Sequence, residues 1–193
     1  MRPAYVANPV ANALFVITMV VWFLSELRQA LRRRSNAATT DRNSLLLLRV
    51  CITLGVLFAA WALRLGATAF GASGITLAIA LLLMWCGIAL RWWSFHTLGR
   101  YFTFSVMTSA DQPVITTGPY RWLRHPSYTG VLLALIGTGV AFGDWLSLAA
   151  LVVLPLIGLL YRIHVEESAL ARTLGRQYTT YASTRKRIIP LVW

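Results

Sequence analysis

Gly118-Pro119-Tyr120-Arg121-Trp122-Leu123-Arg124-His125-Pro126-Ser127-Tyr128 is the polar knot of a chain otherwise dominated by long apolar runs. Two turns marked by glycine or proline, two arginines, a histidine and two tyrosines fall within these eleven residues. Pro126 decides how the stretch is read. Proline suits the first helical position, where its missing N–H costs nothing, so His125-Pro126 predicts the start of a helix. The free N–H groups from Ser127 onward then face whatever lies below the helix start, a place for an anionic group such as a carboxylate. Tyr120 and Tyr128 add hydroxyls and aromatic faces suited to a flat heterocycle or a cation. The same residues also read as an interfacial belt at a helix start, which accounts for Arg121, Trp122 and Arg124.

Outward from this knot the chain needs an apolar solvent. Of 193 residues, 58% are hydrophobic and 12% charged, with a mean hydropathy of +0.64. Soluble domains carry about twice that charged share (~25%). The composition predicts an integral membrane protein of one domain over 1–193. Val10 to Leu24 lacks a basic leader region and a small-residue cleavage site, so it reads as a retained span. Cys51 and Cys86 sit inside apolar runs and read as small buried hydrophobes, with neither metal spacing nor a disulfide framework.

The predicted architecture is all-α, a membrane bundle of five transmembrane helices. Span one covers about 9–25, span two 44–65 and span three 75–90, closing on Arg91-Trp92-Trp93. The spans of residues 1–90 are followed by a cytoplasmic connecting segment over 91–125, amphiphilic from Ser94 to Arg124. Span four covers 126–142 and span five 145–161, and together 126–161 reads as a hairpin of antiparallel helices turning at Gly143-Asp144. Pro155 predicts a kink in span five. Residues 162–193 form a cytoplasmic tail, with helix continuing from Arg162 to Leu174.

The net charge of +12 invites a nucleic-acid reading, and its distribution removes it. Fifteen of the eighteen Lys and Arg residues fall on one side of the five predicted spans. That is the positive-inside pattern, with the N-terminus outside and the C-terminus cytoplasmic. The basic face then meets anionic lipid rather than nucleic acid. The membrane is the plasma membrane in a prokaryote or the endoplasmic reticulum in a eukaryote. No internal repeat is visible, which disfavours a repeat-built transporter. Oligomeric state is not legible, since small-residue faces pack within a chain or between chains.

A second knot, Arg162-Ile163-His164-Val165-Glu166-Glu167, follows one hydrophobic hairpin later. Arg162 and Glu166 are four apart and share a helix face. They read either as an ion pair at a helix end or, being at the membrane boundary opposite the start of span four, as a site. In the second reading Arg162 grips a substrate carboxylate in bidentate fashion, and Glu166 accepts hydrogen bonds from hydroxyls or an amine. Glu167 projects about 100° away, toward a different neighbour. His96 and His164 are lone histidines without metal spacing, so no metal site is predicted. Trp92, Trp93 and Trp193 read as belt residues. Tyr178 and Tyr181 either close over a cofactor or dock a terminal helix. No Ser/His/Asp set, GxGxxG or Walker motif is present.

Taken together, Gly118-Pro119-Tyr120, Arg124 through Tyr128, Glu166-Glu167, Leu174-Gly175 and Tyr178 through Tyr181 resemble the membrane isoprenylcysteine carboxyl methyltransferases. Their wider superfamily includes phospholipid N-methyltransferases. The resemblance covers about residues 99–193. It implies S-adenosyl-L-methionine as cofactor and S-adenosyl-L-homocysteine as product, in a cytoplasmic pocket rather than on a Rossmann sheet. It implies that Tyr120, His125, Pro126, Ser127, Tyr128 and Glu166 contact the cofactor and that Arg162 faces the methyl acceptor. It further implies a cofactor contact from Gln112-Pro113-Val114-Ile115. There Gln112 replaces a histidine common in animal members, and Met107 stands where they place a glutamine.

The resulting expectation is a membrane methyltransferase acting on the carboxylate of a prenylated cysteine or a similar lipophilic acceptor that enters from the bilayer. Arg162 and Glu166 are its expected catalytic pair. A carboxylate acceptor needs no strong base, only alignment with the methyl and exclusion of water. Methylation of a lipid amine is the alternative, with Glu166 or Glu167 then acting as base. An alternative of another class is a non-catalytic module that binds lipid, or heme through His125 and His164.

Overall fold

The computed structural model describes residues 3–6, 9–31, 38–39, 43–66, 68–70, 73–99, 107–108 and 113–189. Six helices carry the fold: α1 (Pro9–Ala30), α2 (Ser44–Leu65), α3 (Gly74–Leu98), α4 (Pro126–Phe142), α5 (Trp145–Leu174) and α6 (Arg176–Thr184). Short 3-10 turns occupy Ala4–Val6 and Gly118–Arg121. A two-residue antiparallel ladder pairs β1 (Ala38–Thr39) with β2 (Met107–Thr108), and isolated bridges join Ala69 to Asp144 and Leu123 to Lys186.

The helix limits follow from local chemistry. α2 and α4 begin and end where hydropathy places them. α1 runs on to Ala30 rather than stopping at Ser25. α3 continues past Leu90 to Leu98, because no Gly or Pro intervenes before Gly99, which closes it with φ +51°. The divisions expected at 90/91 and 161/162 therefore fall inside helices. α5 is one helix of 30 residues that passes through Pro155 and ends at Gly175. At 1.5 Å per residue it is about 45 Å long, against ~30 Å of bilayer hydrocarbon.

Four helices, α1, α2, α3 and α5, are long and apolar enough to cross a membrane, and α4 is a shorter apolar helix of 17 residues. Their outer faces carry Leu46, Leu57, Trp61, Leu82, Val153 and Ile157, all exposed. Helices satisfy every internal backbone group, so such surfaces are stable facing lipid. The chain is an integral membrane protein.

Inside, α3 packs on α4 through glycine. A Cβ on Gly87 would lie 2.5 Å from the Gly130 carbonyl oxygen, and one on Gly130 would lie 2.6 Å from that of Gly87. Small residues at this crossing let the two backbones touch. One core cluster joins Ala59 of α2 to Val131 and Leu135 of α4 and Ala150 and Leu151 of α5. A second joins Phe15 of α1 to Ala80 and Met84 of α3 and Ala141 of α4.

The two ends are tied differently. At the α4–α5 turn Asp144 caps α5, accepting from the Ser147 N–H at 2.7 Å and the Thr68 hydroxyl at 2.6 Å. At the opposite end the chain after α6 runs back beside the start of α4. Arg124 and His125 donate their N–H groups to the carbonyls of Lys186 and Arg187 at 2.8 and 2.9 Å.

Candidate functional site

The two polar knots meet. Pro126 starts α4, and Tyr128, two residues on, projects toward α5. Its hydroxyl donates to Glu166 Oε2 at 2.7 Å and accepts from Arg162 Nε at 2.9 Å. The expected partnership of Arg162 and Glu166 thus runs through a phenol supplied by α4. Arg162 is buried and also donates from Nη1 to the Ser44 hydroxyl at 3.1 Å, which joins the start of α2 to the site. The His125 ring stacks on Tyr128 with centroids 5.4 Å apart and planes 6° from parallel. Its Nδ1 lies 3.7 Å from Glu166 Oε2.

Glu167 does meet a different set of neighbours. Its Oε1 is 2.7 Å from Arg124 Nη1 and 3.1 Å from His125 Nε2, while Oε2 is 3.1 Å from Arg187 Nη2. This half-buried junction holds the 118–125 turn, α5 and the returning tail together. Its partners fix the orientation of His125 and, through the stack, of Tyr128.

Tyrosines wall the remaining side. Tyr120, Tyr178 and Tyr181 are all buried. Tyr181 donates to the carbonyl oxygens of Tyr120 at 2.7 Å and Leu123 at 3.2 Å. Burial, then the Glu166 charge, holds the Tyr120 phenol well above its usual range. Burial raises Tyr178 likewise, helped by the charges of Glu167 and Glu166. Burial pushes Tyr181 up to about 12. All three are therefore neutral donors at physiological pH. Four aromatic rings beside two carboxylates suit a ligand that is both flat and cationic.

On the other side of Tyr128 and Arg162 lies a chamber of about 320 Å³ between the helices. Phe23, Leu27, Leu48, Ile52, Val131 and Leu159 form its apolar wall. Arg91, Arg162, Tyr128 and Glu26 form its polar end. Arg91 is buried, is gripped by both oxygens of Glu26 from Nε and Nη2, and donates from Nη1 to the Ser127 carbonyl at 2.8 Å. Reading the sequence took Arg91 only as a mark of sidedness and missed it as a site residue. The available signal was its place within an apolar helix, where ionisable side chains default to function.

Of the expected cofactor contacts, Tyr120, His125, Tyr128 and Glu166 come together, and Pro126 and Ser127 are buried at the helix start. Pro113 is exposed, and Val114 and Ile115 are half-buried ahead of the turn. Gln112 lies outside the described residues. His164 is exposed on α5, while His125 is buried against the two glutamates.

The model of the isoprenylcysteine carboxyl methyltransferase (ICMT) family matches residues 78–172, a range that contains Arg91, Tyr120, Tyr128, Arg162 and Glu166. Over residues 78–172 the chain is similar to that family. The chain is 34% identical over 108 residues to protein-S-isoprenylcysteine O-methyltransferase B of Arabidopsis thaliana, covering 55% of each chain. It is 33% identical over 108 residues to the Tribolium castaneum protein-S-isoprenylcysteine O-methyltransferase, covering 55% of this chain and 38% of that one. The chain thus spans about half, or less, of the length of these relatives. A solved structure of the eukaryotic intramembrane Ras methyltransferase ICMT superposes with a TM-score of 0.56 over 96% of this chain and 54% of that one. At 23% identity that likeness concerns the fold.

Proposed function

We propose that the chain is a membrane methyltransferase that uses S-adenosyl-L-methionine to esterify the carboxylate of a prenylated cysteine or a similar lipophilic acceptor. The observation that carries this reading is the pair of buried arginines, Arg91 and Arg162, at the polar end of an otherwise apolar chamber. Such a chamber suits a molecule with a hydrocarbon body and an anionic head. The acceptor enters from the bilayer, because Phe23 and Leu27 of the chamber wall are also exposed on the outer surface of α1. We read the bundle as five spans, with α4 and α5 a hairpin, in one domain over 1–193. The N-terminus is outside, and the basic loops and C-terminal tail are cytoplasmic against anionic lipid. A thiol reagent confined to the cytoplasmic side, applied to a cysteine introduced at Arg176, tests that orientation; labelling from the outer side alone would overturn it.

The cofactor supplies a methyl group on a sulfonium, which leaves behind a neutral thioether. In this reading Tyr120, His125, Tyr128 and Glu166, with the start of α4 and residues 112–115, hold it on the aqueous side of Tyr128. Glu166 and the tyrosine faces favour its positive charge. Arg162 holds the acceptor carboxylate in line with the methyl carbon, and the apolar chamber excludes water. A carboxylate acceptor would have no proton to lose, so Arg162 would only have to hold it and no residue would be needed as a base. An amine acceptor would have to lose a proton and would meet two buried guanidinium groups.

The test is a radiolabelled methyl-transfer screen with prenylcysteine and phospholipid acceptors. A base-labile product formed from prenylcysteine is expected. A base-stable product formed only from the phospholipid would replace the ester reading with amine methylation. Absence of S-adenosyl-L-homocysteine binding by folded protein in calorimetry would remove both.

A further inference from the structure

Tyr178 and Tyr181 lie one turn apart on α6, with ring centroids 6.2 Å apart, and both are buried. The Tyr181 hydroxyl is used twice, on the carbonyls of Tyr120 and Leu123. The Tyr178 hydroxyl is buried without a hydrogen-bond partner among the described residues. Buried polar groups are almost always paired, so one that is not needs a reason.

The surroundings supply it. Tyr178 lies in the electrostatic reach of Glu167, Glu166 and Arg124. Three of the four carboxylate oxygens of those glutamates are already engaged, and none accepts from the Tyr178 hydroxyl. Glu167 is held by Arg124 and His125 on one oxygen and by Arg187 on the other, and Glu166 Oε2 accepts from Tyr128. Arg124 is in a similar position: Nη1 grips Glu167, while its buried Nε has no partner among the described residues. Two buried donors near the same glutamate thus lack an acceptor among those residues. A bound molecule that carries acceptor atoms would satisfy both.

We propose that Tyr178 is a further cofactor-binding residue, donating its hydroxyl hydrogen to an oxygen or ring nitrogen of the bound nucleoside cofactor, with Arg124 Nε as the adjacent donor. This deepens the methyltransferase reading and rests on it. α6 is then the wall of the cofactor site as well as a terminal helix. Tyr181 locks the helix in place, and Tyr178 reports on what lies beneath it.

The experiment uses the full chain in detergent. S-adenosyl-L-homocysteine affinity and ligand-free melting temperature are measured for wild type, Tyr178→Phe and Tyr181→Phe. Tyr178→Phe is expected to weaken binding about five- to ten-fold, the range of one lost hydrogen bond, and to leave the ligand-free melting temperature unchanged. Tyr181→Phe is expected to lower that temperature, because its hydroxyl bonds within the fold. Wild-type affinity in Tyr178→Phe would overturn the proposal. So would a drop in its ligand-free melting temperature matching that of Tyr181→Phe, since the hydroxyl would then have a partner in the fold. Failure of the wild type to bind would instead overturn the methyltransferase reading, and this proposal with it.

Discussion

Arg162 is the side chain whose contacts join the most distant parts of the site. It reaches Tyr128 in α4 and Ser44 at the start of α2, and it lines the apolar chamber. A lysine there would keep the charge but lose the planar fork that reaches both the Tyr128 phenol and the Ser44 hydroxyl. Arg162→Lys and Arg162→Ala are both expected to lower methyl transfer to a prenylcysteine acceptor about 100-fold, the scale of a misplaced reactant. S-adenosyl-L-homocysteine affinity should change little in either. Retention of carboxyl methylation by Arg162→Ala would remove the acceptor role. That Arg162 and Glu166 share a helix face was legible from their spacing. The phenol between them was not, because helical periodicity relates residues within one helix and says nothing about a side chain arriving from another.

The α3–α4 pair works as an element because it has no side chains at its closest point. A Cβ on Gly130 would meet the Gly87 carbonyl oxygen at 2.6 Å and Arg91 Cγ at 2.7 Å. Gly130→Val is expected to cost about 1–3 kcal/mol by overpacking, measured as unfolding in detergent. It should also raise the acceptor KM, because the displaced backbone carries Arg91. An unchanged melting temperature would show that the crossing is looser than drawn. At the other end of α4, Asp144 caps α5 and receives the Thr68 and Ser147 hydroxyls. Asp144→Ala removes the cap and strands those donors, with an expected loss of about 2 kcal/mol. Activity per folded molecule should be preserved, since this turn is remote from the Tyr128–Glu166 end. The turn itself was legible as Gly143-Asp144; its bond to Thr68, 76 positions earlier, was not.

At the scale of the whole molecule, the buried tyrosines make stability pH-dependent on the alkaline side. In the unfolded chain a tyrosine ionises at about pH 10. Burial holds Tyr120, Tyr178 and Tyr181 protonated beyond that, Tyr181 to about 12. Above about pH 10 the unfolded state therefore binds fewer protons than the folded one, and stability falls as pH rises. Below that pH the contribution is fully present. The melting temperature should be flat with respect to these groups from about pH 7 to 9 and fall between about pH 10 and 12. Tyr181→Phe should make that fall shallower; an equally steep fall in this variant would assign it to other groups.

Hydropathy and turn chemistry are properties of position along the chain, so the apolar helices and the helix start at Pro126 could be read from the sequence alone. The local turn chemistry of Gly99, Gly143 and Gly175 is equally local. What required the tertiary structure was the rotation of each helix about its axis. A helix that is apolar nearly all round carries little periodic signal to say which face is buried. Only packing decided that Arg91 faces Glu26 and the chamber, that Ser44 reaches Arg162 across 118 positions, and that the tail after α6 returns to bond Arg124 and His125. Those long-range contacts turn two polar knots into one site, because buried charges are stable only where partners from other helices meet them.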